Sequence, residues 1–406
     1  MRILLIHQNF PGQFLHLAPA LKARGHDVTA LTAEGNKRPS AVPRILYRKP
    51  DKPEGGSPLA KTYGEVAERG LKVARAAAAM RRDQDYVPDL ILGHSGWGET
   101  LFLKDVWPEA RLAVYSEFLY RSSGLDAGFD PEFYRPALEA RVRVTARAAY
   151  LTQALVQADA AIAPTQWQAQ TVPEPLRGKI RVIHDGIDTD RVRPDPAARL
   201  VLDDGRELKP GDEVLSFVNR NLEPYRGYHI FMRALPEVLK ARPEAQVVIV
   251  GADGVSYGGK PPQGKTWKQI FLDEVGDRID RDRVHFLGQV PYSRYLSVLQ
   301  VARVHAYLTY PFVLSWSLME AMAAGVPIVA SRTPPVEEML RDGLTGRLVD
   351  FFDVAAWSQA LIAALADPKA NAPLAEAARA QIVERYDLKR VCLPALIDFV
   401  ESQGPA

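Results

Sequence analysis

The chain has 406 residues, more than one hydrophobic core normally serves, so we expect two domains. Its hydrophobic share of 47% and charged share of 25% are those of an ordinary globular protein. The net charge of +2 argues against a nucleic-acid binder, because such proteins neutralise phosphates with an excess of basic residues. Cys392 is the only cysteine, so an internal disulfide is excluded and a cytoplasmic location is expected.

Signals for targeting and for metal binding are weak. The apolar run after Met1 and Arg2 is too short for a signal peptide, and we expect no membrane-spanning segment. The basic, proline-rich stretch 37–53 is predicted to be a loop. Asp83 and Asp85 superficially resemble a metal-binding pair, but they lie in a charged link and are interpreted as solvated.

Short apolar runs alternate with longer runs of helical periodicity along the chain. This alternation is typical of βα units and predicts the α/β fold class, with two Rossmann-like, doubly wound parallel-sheet domains facing across a cleft. One large α/β domain with an ordinary pocket is the alternative. The strand candidates are 2–6, 27–31, 89–93, 111–115, 160–164 and 180–184, followed by 213–218, 246–251, 283–288, 304–309, 327–331 and 346–350.

A stretch rich in Asp, Gly and Pro, 185–213, separates the two sets of strands and is predicted to be an interdomain hinge. Three helical segments follow the second set, the last at 388–402. Ligands of doubly wound sheets bind outside the carboxyl ends of the strands. The residues that follow strands are therefore the candidates for a functional site.

Two strand-to-helix junctions could receive phosphate. After strand 2–6, Pro11 and Gly12 make a tight loop before a predicted helix, whose free N–H groups can bind an anion, although any βα turn can hold a glycine. After strand 213–218 come Arg220 and Arg226, and two guanidinium groups can bind adjacent phosphates through paired hydrogen bonds. The alternative is a pair of surface arginines bonded to Glu223 or to solvent.

A third junction, "YPFVLSWSLMEAMAAGVPIVAS" (310–331), keeps one acid within an apolar run. Ser315 or Ser317 can cap a helix that carries Glu320 about a turn further on. Burying a carboxylate without a partner is costly, so we expect Glu320 to accept hydrogen bonds from a ligand or to pair with another side chain. It could accept bonds from a ribose diol, the usual use of an acid in nucleotide sites, or it could pair with a buried Arg or Lys.

The chain resembles the retaining glycosyltransferases of family 4 in the order of four features. These are the glycine loop, the Arg220–Arg226 pair, "LMEAMAAGVPIVAS" and "VEEMLRDGLTGRLVD". The resemblance extends over nearly the whole chain and is densest from 216 to 350. It implies transfer of a hexose-like sugar from a nucleotide-diphosphate sugar to an acceptor with retained anomeric configuration. It also implies that no metal is required and that the nucleotide sugar is a co-substrate rather than a cofactor.

The resemblance implies the glycosyltransferase-B (GT-B) architecture, two Rossmann-like domains across a deep cleft. Residues 1–188, with a returning C-terminal helix in 388–406, would form the acceptor-side domain, and residues 189–387 the domain that binds the nucleotide sugar. In related enzymes that act on lipid-linked acceptors, the first domain often docks on a membrane through a basic amphipathic surface. The helical run 133–157, with Arg141, Arg143 and Arg147, would supply one here, although a solvated helix face is the simpler interpretation.

Family roles carry over onto matching residues. Arg220 and Arg226 match the basic pair on the donor diphosphate, with Arg226 where lysine is usual. Glu320 matches the second acid of the Glu-x7-Glu motif and would bind the ribose. The other implied contacts are Gly12 with the diphosphate, Gln289 and Val290 with the base, and His94 with the donor sugar near its reacting end.

Phe312 stands where the family has the first acid of that motif, which ordinarily touches hydroxyls of the transferred sugar. A smaller departure is "SRTPPVEE", which lacks the customary paired glycines before Glu338. These departures leave the predicted contacts with the diphosphate and the ribose intact, but they leave the identity of the transferred sugar open. Either the donor lacks the usual hydroxyl pattern, or Ser315, Ser317 and backbone groups recognise the sugar.

The chemistry implied by the family needs donors aimed at the departing diphosphate, and the leaving phosphate itself can take the acceptor's proton. On the acceptor side, Glu117 follows strand 111–115 and is a candidate for acceptor binding or proton transfer, with Arg121 beside it in sequence. Two other interpretations are a sugar-nucleotide-binding regulator that lost catalysis, which Phe312 motivates, and a sugar-nucleotide 2-epimerase. The base, the sugar, the acceptor and the oligomeric state are not predicted.

Overall fold

The computed structural model describes residues 1–50, 57–134 and 137–404. Within this part of the chain there are two compact units. Unit 1 comprises Met1–Phe129, Tyr134–Gly186 and Leu388–Ala406, and unit 2 comprises Asp130–Phe133 and Ile187–Asp387. Positions 51–53 of the predicted loop, 135–136 of the predicted helical run and 405–406 of the predicted first domain lie outside the described residues. The roles predicted for the two domains stay predictions.

Unit 1 is built on a parallel sheet. Its strands are β1 (Arg2–Ile6), β2 (Asp27–Ala33), β3 (Arg44–Tyr47), β4 (Leu90–His94), β5 (Arg111–Tyr115), β6 (Ala160–Ala163) and β7 (Ile180–Val182). In space they follow the order β3-β2-β1-β4-β5-β6-β7, so the strand order reverses between β1 and β4. Its helices include α1 (Leu17–Ala23), α2 (Pro58–Gln84), α3 (Leu103–Val106), α4 (Leu138–Gln157), α5 (Gln166–Gln170) and α6 (Glu174–Arg177).

Both faces of this sheet are buried, as β1 illustrates. Ile3 and Leu5 pack in the cluster that contains α1 residues, whereas Leu4 and Ile6 pack in the cluster that contains α2 residues. Successive side chains of a strand point to opposite faces, so a strand covered on both sides must be apolar throughout. The unbroken apolar run of β1 follows from this position.

Unit 2 repeats the plan with a sheet of six parallel strands. After a two-stranded sheet of β8 (Leu200–Val201) and β9 (Glu207–Leu208), the strands are β10 (Val214–Asn221), β11 (Gln246–Ala252), β12 (Val284–Gly288), β13 (Val304–Tyr307), β14 (Ile328–Ser331) and β15 (Arg347–Val349), in the spatial order β12-β11-β10-β13-β14-β15. The helices are α7 (Tyr228–Ala241), α8 (Trp267–Val275), α9 (Tyr292–Val301), α10 (Trp316–Ala323), α11 (Pro334–Met339), α12 (Val354–Ala366) and α13 (Pro368–Arg385).

The central strand β10 is covered on both faces as well. Phe217 stacks on Phe231 of α7 with ring centroids 4.4 Å apart, and the next residue, Val218, belongs to the cluster that contains Leu318 of α10. Trp357 of α12 is fully buried and donates its indole N–H to the Asp350 carbonyl at 3.0 Å. The sheet therefore fixes the start of α7 and of α10, the two helices that carry candidate site residues.

Two sequence predictions need correction. The stretch 37–53 contains β3, an edge strand with three of its four residues not fully buried, and an edge position tolerates the charges and prolines that hid it. The predicted hinge 185–213 belongs to unit 2 from Ile187 onward and includes the β8–β9 pair. The twelve strand candidates all coincide with strands, with ends that differ by up to three residues.

After α13 the chain returns to unit 1 through a π-helical turn, Leu388–Cys392, and α14 (Leu393–Glu401). Leu396 and Phe399 join the core cluster of Ile3 and Leu5. The Glu401 carboxylate accepts two bonds from Arg24, at 2.7 and 2.8 Å, which ties α14 to the end of α1. No helix in the described ranges is both long enough and apolar enough to cross a lipid bilayer.

Candidate functional site

Arg220 lies at the carboxyl end of β10, inside the strand rather than after it. The pairing of β10 with β11 shifts register between Val218 and Asn221, and such bulges redirect side chains at the edges of sites. Arg220 is exposed, and among the described residues none forms a hydrogen bond or ion pair with its guanidinium. This side chain is therefore available to an anion.

Arg226 is held in place before any ligand arrives. It ends a 3₁₀ turn, Pro224–Arg226, and is only 6% exposed. Its Nη1 donates to Thr309 Oγ1 at 2.7 Å and to the Val313 carbonyl at 3.0 Å. Because these bonds use Nη1 alone, Arg226 both fixes the loop after β13 and keeps other N–H groups for an anion.

One alternative was that Glu223 bonds to these two arginines, but its carboxylate has other partners. Its buried carboxylate accepts bonds from the backbone N–H groups of Ser256, Tyr257 and Gly258, at 3.0 to 3.3 Å. Glu223 therefore shapes the loop after β11 and leaves the charge of the two arginines uncompensated.

Phe312 packs among aromatic rings. Its ring centroid lies 5.1 Å from that of Tyr225 and 4.9 Å from that of Tyr257, and the Cζ of Arg226 lies 5.8 Å from it. Aromatic pairs at these separations are attractive, and a guanidinium over a ring adds a cation–π contact. A buried aromatic ring thus stands at the position to which the family resemblance assigns an acid.

Glu320 is held by two tyrosines. The Tyr292 hydroxyl donates to Oε1 and the Tyr295 hydroxyl to Oε2, both at 2.6 Å. Burial raises the pKa of Glu320, and the two tyrosine bonds, with the charge of Arg191, oppose that rise. The alternative prediction, a buried Arg or Lys paired with this acid, is wrong, because tyrosine hydroxyls bond to both of its oxygens.

The other predicted contacts in unit 2 lie on neighbouring segments. Gly288, at φ +63°, ends β12, and exposed Gln289 and partly buried Val290 follow it. Ser315 caps α10 by accepting from the Ser317 N–H at 3.4 Å, and their hydroxyls lie 2.9 Å apart. Their roles toward a base or a sugar stay predictions.

In unit 1, the glycine loop differs from its prediction. No helix begins at the loop, because a 3₁₀ turn, Gly12–Phe14, follows it and α1 begins only at Leu17. Gly12 has φ +49°, and a Cβ there would lie 2.5 Å from Nε2 of His7. Only glycine fits against this ring. The contact of Gly12 with a diphosphate stays a prediction.

The variant Gly12→Ala should lower the free energy of unfolding by about 1–3 kcal/mol, because strain at positive φ adds to a clash with His7. Urea unfolding measures this cost. Gly25→Ala is the matched control, since Gly25 has φ +89° but open space around the added Cβ. Equal costs for the two variants would mean that the His7 ring yields freely and does not require glycine.

His94 ends β4 and is buried in an aromatic stack. Its ring centroid lies 4.4 Å from that of Trp97 and 5.6 Å from that of Tyr115. Burial lowers the pKa of His94 to about 3, helped by the nearby His7. Since its Nδ1 accepts from the Gly96 N–H at 3.0 Å, the neutral ring carries its proton on Nε2 and can only donate there.

The two acceptor-side candidates have different surroundings. Glu117 is partly exposed, and its Oε2 lies 3.8 Å from Nε2 of His94. Arg121 instead donates to the carbonyls of Gln170 and Thr171, at 2.8 to 3.1 Å, and so holds the end of α5. These contacts of Arg121 are structural, and the acceptor-side roles of both residues stay predictions.

Sequence reasoning missed Glu99, five residues after His94. It is fully buried and accepts from the Tyr47 hydroxyl at 2.6 Å. Burial raises the pKa of Glu99 to about 7, with the bond from Tyr47 and the charge of Arg69 opposing the rise. The sequence marks Glu99 only as an acid inside the apolar run "GWGETLFL", and no neighbouring residue in the sequence indicates that Tyr47 bonds to it.

One cluster in the described residues has ligand atoms spaced for a metal: Asp130, Glu132 and His229, within 4.8 Å of one another. Its carboxylates already have protein partners. Asp130 accepts from the Tyr310 hydroxyl at 2.6 Å and lies 3.1 Å from His229 Nε2, and Glu132 makes two bonds of 2.7 Å with Arg233. We interpret the cluster as an internal network of unit 2.

Comparison with protein families gives the class of the chain. Residues 24–192 match the family model "Glycosyl transferase family 4 group", and residues 203–381 match "Glycosyl transferases group 1". The two sheets and this pair of matches define a GT-B fold of two Rossmann-like halves. Each half of the chain thus matches a glycosyltransferase family model, the first half that of family 4.

Individual proteins resemble parts or the whole of the chain. The D-inositol 3-phosphate glycosyltransferase of Nocardia farcinica is 30% identical over 220 residues, 53% of this chain and 47% of that protein. The chain thus spans about half the length of the curated relatives it matches. The sucrose-phosphate synthase of Thermosynechococcus elongatus superposes with a TM-score of 0.74 at 20% identity and covers 99% of both chains. Anabaena HepE, solved with UDP-glucose, gives 0.66 at 17% identity over 99% of this chain and 100% of HepE.

Proposed function

We propose that the chain is a retaining glycosyltransferase that moves a hexose-like sugar from a nucleotide-diphosphate sugar to an acceptor. One observation carries the proposal. In unit 2, an uncompensated Arg220 and a preset Arg226 lie at and just after the end of β10. The neighbouring strand β13 leads to α10, which carries Glu320, a carboxylate whose two oxygens are held by hydroxyl donors. Cations for a diphosphate and an acceptor group for a ribose are what a nucleotide-sugar site needs.

The difficult step is breakage of the glycosyl–phosphate bond, in which positive charge grows on the sugar and negative charge on the departing diphosphate. Donors fixed in advance stabilise that negative charge without reorganisation. Arg226 is fixed by Thr309 and Val313, and Arg220 supplies a second, exposed cation. Gly12 would add backbone contacts to the same diphosphate.

On the sugar side, His94 would donate from Nε2 to a hydroxyl of the transferred sugar, since its ring is neutral at physiological pH. The acceptor oxygen attacks the anomeric carbon as the phosphate leaves on the same face, and the leaving phosphate oxygen takes the acceptor's proton. Glu117, 3.8 Å from His94, would bind the acceptor or relay that proton. No residue of the chain forms a covalent bond in this scheme.

We infer that neither a metal nor a separate cofactor takes part, because two guanidinium groups can supply the positive charge that a cation would otherwise bring to the diphosphate. Turnover that is unchanged after dialysis against EDTA would support this part of the proposal, and loss of turnover that Mg²⁺ or Mn²⁺ restores would overturn it.

The donor's base is best approached with UDP-sugars first, because HepE was solved with UDP-glucose. GDP-, ADP- and dTDP-sugars complete the panel, read out by thermal shift and by release of the nucleotide. The acceptor of this chain stays unidentified.

A cytoplasmic location is proposed on the single, buried Cys392. Peripheral membrane contact through α4 would rest on exposed Arg141 and Arg143, since Arg147 stacks on Tyr120 with its Cζ 4.1 Å from the ring centroid.

The variant Glu320→Ala should weaken nucleotide binding by about 10–100-fold, because two charge-assisted hydrogen bonds to the ribose are lost. Isothermal titration calorimetry with the nucleotide that binds best measures the change. Glu376→Ala, which removes an exposed acid from α13, is the matched control and should bind as the wild type does. Unchanged affinity in Glu320→Ala would contradict the assignment of the ribose site.

Phe312 supports a second candidate function, a protein that binds sugar nucleotides without transferring the sugar. The aromatic ring removes the carboxylate that would contact sugar hydroxyls. The two functions are separated by turnover: a purified protein that binds a nucleotide sugar, but releases no nucleotide to water or to any acceptor tried, supports the binding function.

A further inference from the structure

Two tyrosine hydroxyls are bonded to Glu320, one on each carboxylate oxygen. Both tyrosines come from α9, one helical turn apart, so their hydroxyls reach the carboxylate from the same side. Tyr295 is 9% exposed and Tyr292 is 40% exposed. The two tyrosines therefore fix the orientation of the carboxylate from one side, and their bonds do not occupy its opposite side.

Each carboxylate oxygen has two lone pairs for hydrogen bonds, so one on each oxygen is free after the tyrosines have donated. A carboxylate with one free acceptor position on each oxygen matches a vicinal diol, which presents two hydroxyl donors side by side. The tyrosine bonds also favour the ionised carboxylate, which accepts at both oxygens, over the neutral acid, which would carry a competing donor.

We propose that Tyr292 and Tyr295 determine the specificity of the nucleotide site by holding Glu320 as a carboxylate that requires both the 2′- and the 3′-hydroxyl of a ribonucleotide. This inference rests on the proposed function. A 2′-deoxy nucleotide would leave one buried acceptor position unpaired, and unpaired buried polar groups are costly. The pair therefore selects ribonucleotides over deoxyribonucleotides.

The two tyrosines have different parts in this selection. Tyr295 is buried and acts as a positioning residue, through Glu320 alone. Tyr292 is partly exposed at the start of α9, directly after the 288–291 segment predicted to contact the base. Its ring lies under the guanidinium of Arg191, with Cζ 4.4 Å from the ring centroid. This contact keeps the Tyr292 ring in place when its hydroxyl is removed, so Tyr292→Phe tests the hydroxyl by itself.

Calorimetric titration with UDP, GDP and ADP, each beside its 2′-deoxy counterpart, tests the inference on the full chain. The wild type should prefer the ribonucleotide about tenfold or more, the value of one charge-assisted hydrogen bond. In Tyr295→Phe the ribonucleotide should bind about tenfold more weakly and the preference should shrink toward one, with a smaller change in Tyr292→Phe. Tyr86→Phe, which removes a buried hydroxyl from unit 1, is the control and should leave the preference unchanged.

The pH profile gives a readout that a purely structural role would not move. Binding needs ionised Glu320, so affinity falls as the pH drops through the pKa of this group, and the fall should begin at higher pH in Tyr295→Phe. The charged and titratable groups that face Glu320 are Tyr292, Tyr295 and Arg191, with Asp188 beside Tyr292. The arginine favours the ionised form in wild type and variant alike.

The outcomes separate the inference from the function on which it rests. No binding of any of the six nucleotides to the wild type would overturn the proposed function. Binding that Glu320→Gln abolishes, with an unchanged ribose preference and pH profile in folded Tyr295→Phe and Tyr292→Phe, would overturn the inference alone. A preference that falls in both variants and stays intact in Tyr86→Phe would support it.

Discussion

Replacement of Arg220 by alanine should slow sugar transfer by about 10²–10³-fold, the usual cost of losing one donor to a developing oxyanion. The thermal midpoint should stay at its wild-type value, because Arg220 is exposed and bonds to none of the described residues. Arg226→Ala should slow transfer as much and also lower the midpoint, since the bonds from Nη1 to Thr309 and Val313 are lost. Initial rates of nucleotide release and melting curves on the same samples measure both effects.

Two further variants make this comparison specific. Arg347→Ala removes an exposed arginine from β15 and should leave the rate unchanged. Arg220→Lys keeps the charge but loses the planar pair of donors, so it should recover only part of the rate. A wild-type rate in Arg220→Ala would show that Arg220 does not contact the diphosphate in the transition state.

The second large effect is expected at Asp130, whose carboxylate is 2% exposed. Asp130→Ala should lower the free energy of unfolding by about 3–5 kcal/mol, because the Tyr310 hydroxyl and the His229 ring lose their buried partner. Burial favours a higher pKa for Asp130, but the contacts with His229 and Tyr310 lower it below its ordinary value. The stabilisation from its charge is therefore complete above about pH 4 and is lost as the pH falls through the native pKa.

Urea unfolding of wild type and Asp130→Asn between pH 3 and pH 8 tests the sign of this dependence. The difference between the two should be constant from pH 5 to pH 8 and shrink toward pH 3. Asp204→Asn is the control, since Asp204 is an exposed acid of unit 2 whose pKa is also lowered, by Arg206, and its loss should change little. A difference that grows toward low pH would mean that Asp130 is not held as an ionised carboxylate.

Much of the fold could be predicted because buried parallel strands have a simple pattern. Strands such as β1 and β10 are covered on both faces, so they stand out as short apolar runs between helical segments. The edge strand β3 could not be found in this way, because only Tyr47 among its four residues is buried. Where burial is partial, charges and prolines conceal the strand.

The site was predictable where a motif marks it and not where distant residues meet. Arg220 and Glu320 were identified from motifs that occupy one continuous stretch each. The partners of Glu320 stand 25 and 28 residues away on another helix, and the bond between Asp130 and Tyr310 joins residues 180 positions apart. Such contacts depend on how helices pack onto the sheet, which no local pattern in one sequence encodes.

A crystal structure with the best-binding nucleoside diphosphate would test the central claim most directly. The account predicts that the two phosphates contact the guanidinium groups of Arg220 and Arg226 and that the ribose hydroxyls donate to Glu320. Phosphates bound away from both arginines, or a ribose that does not touch Glu320, would contradict it.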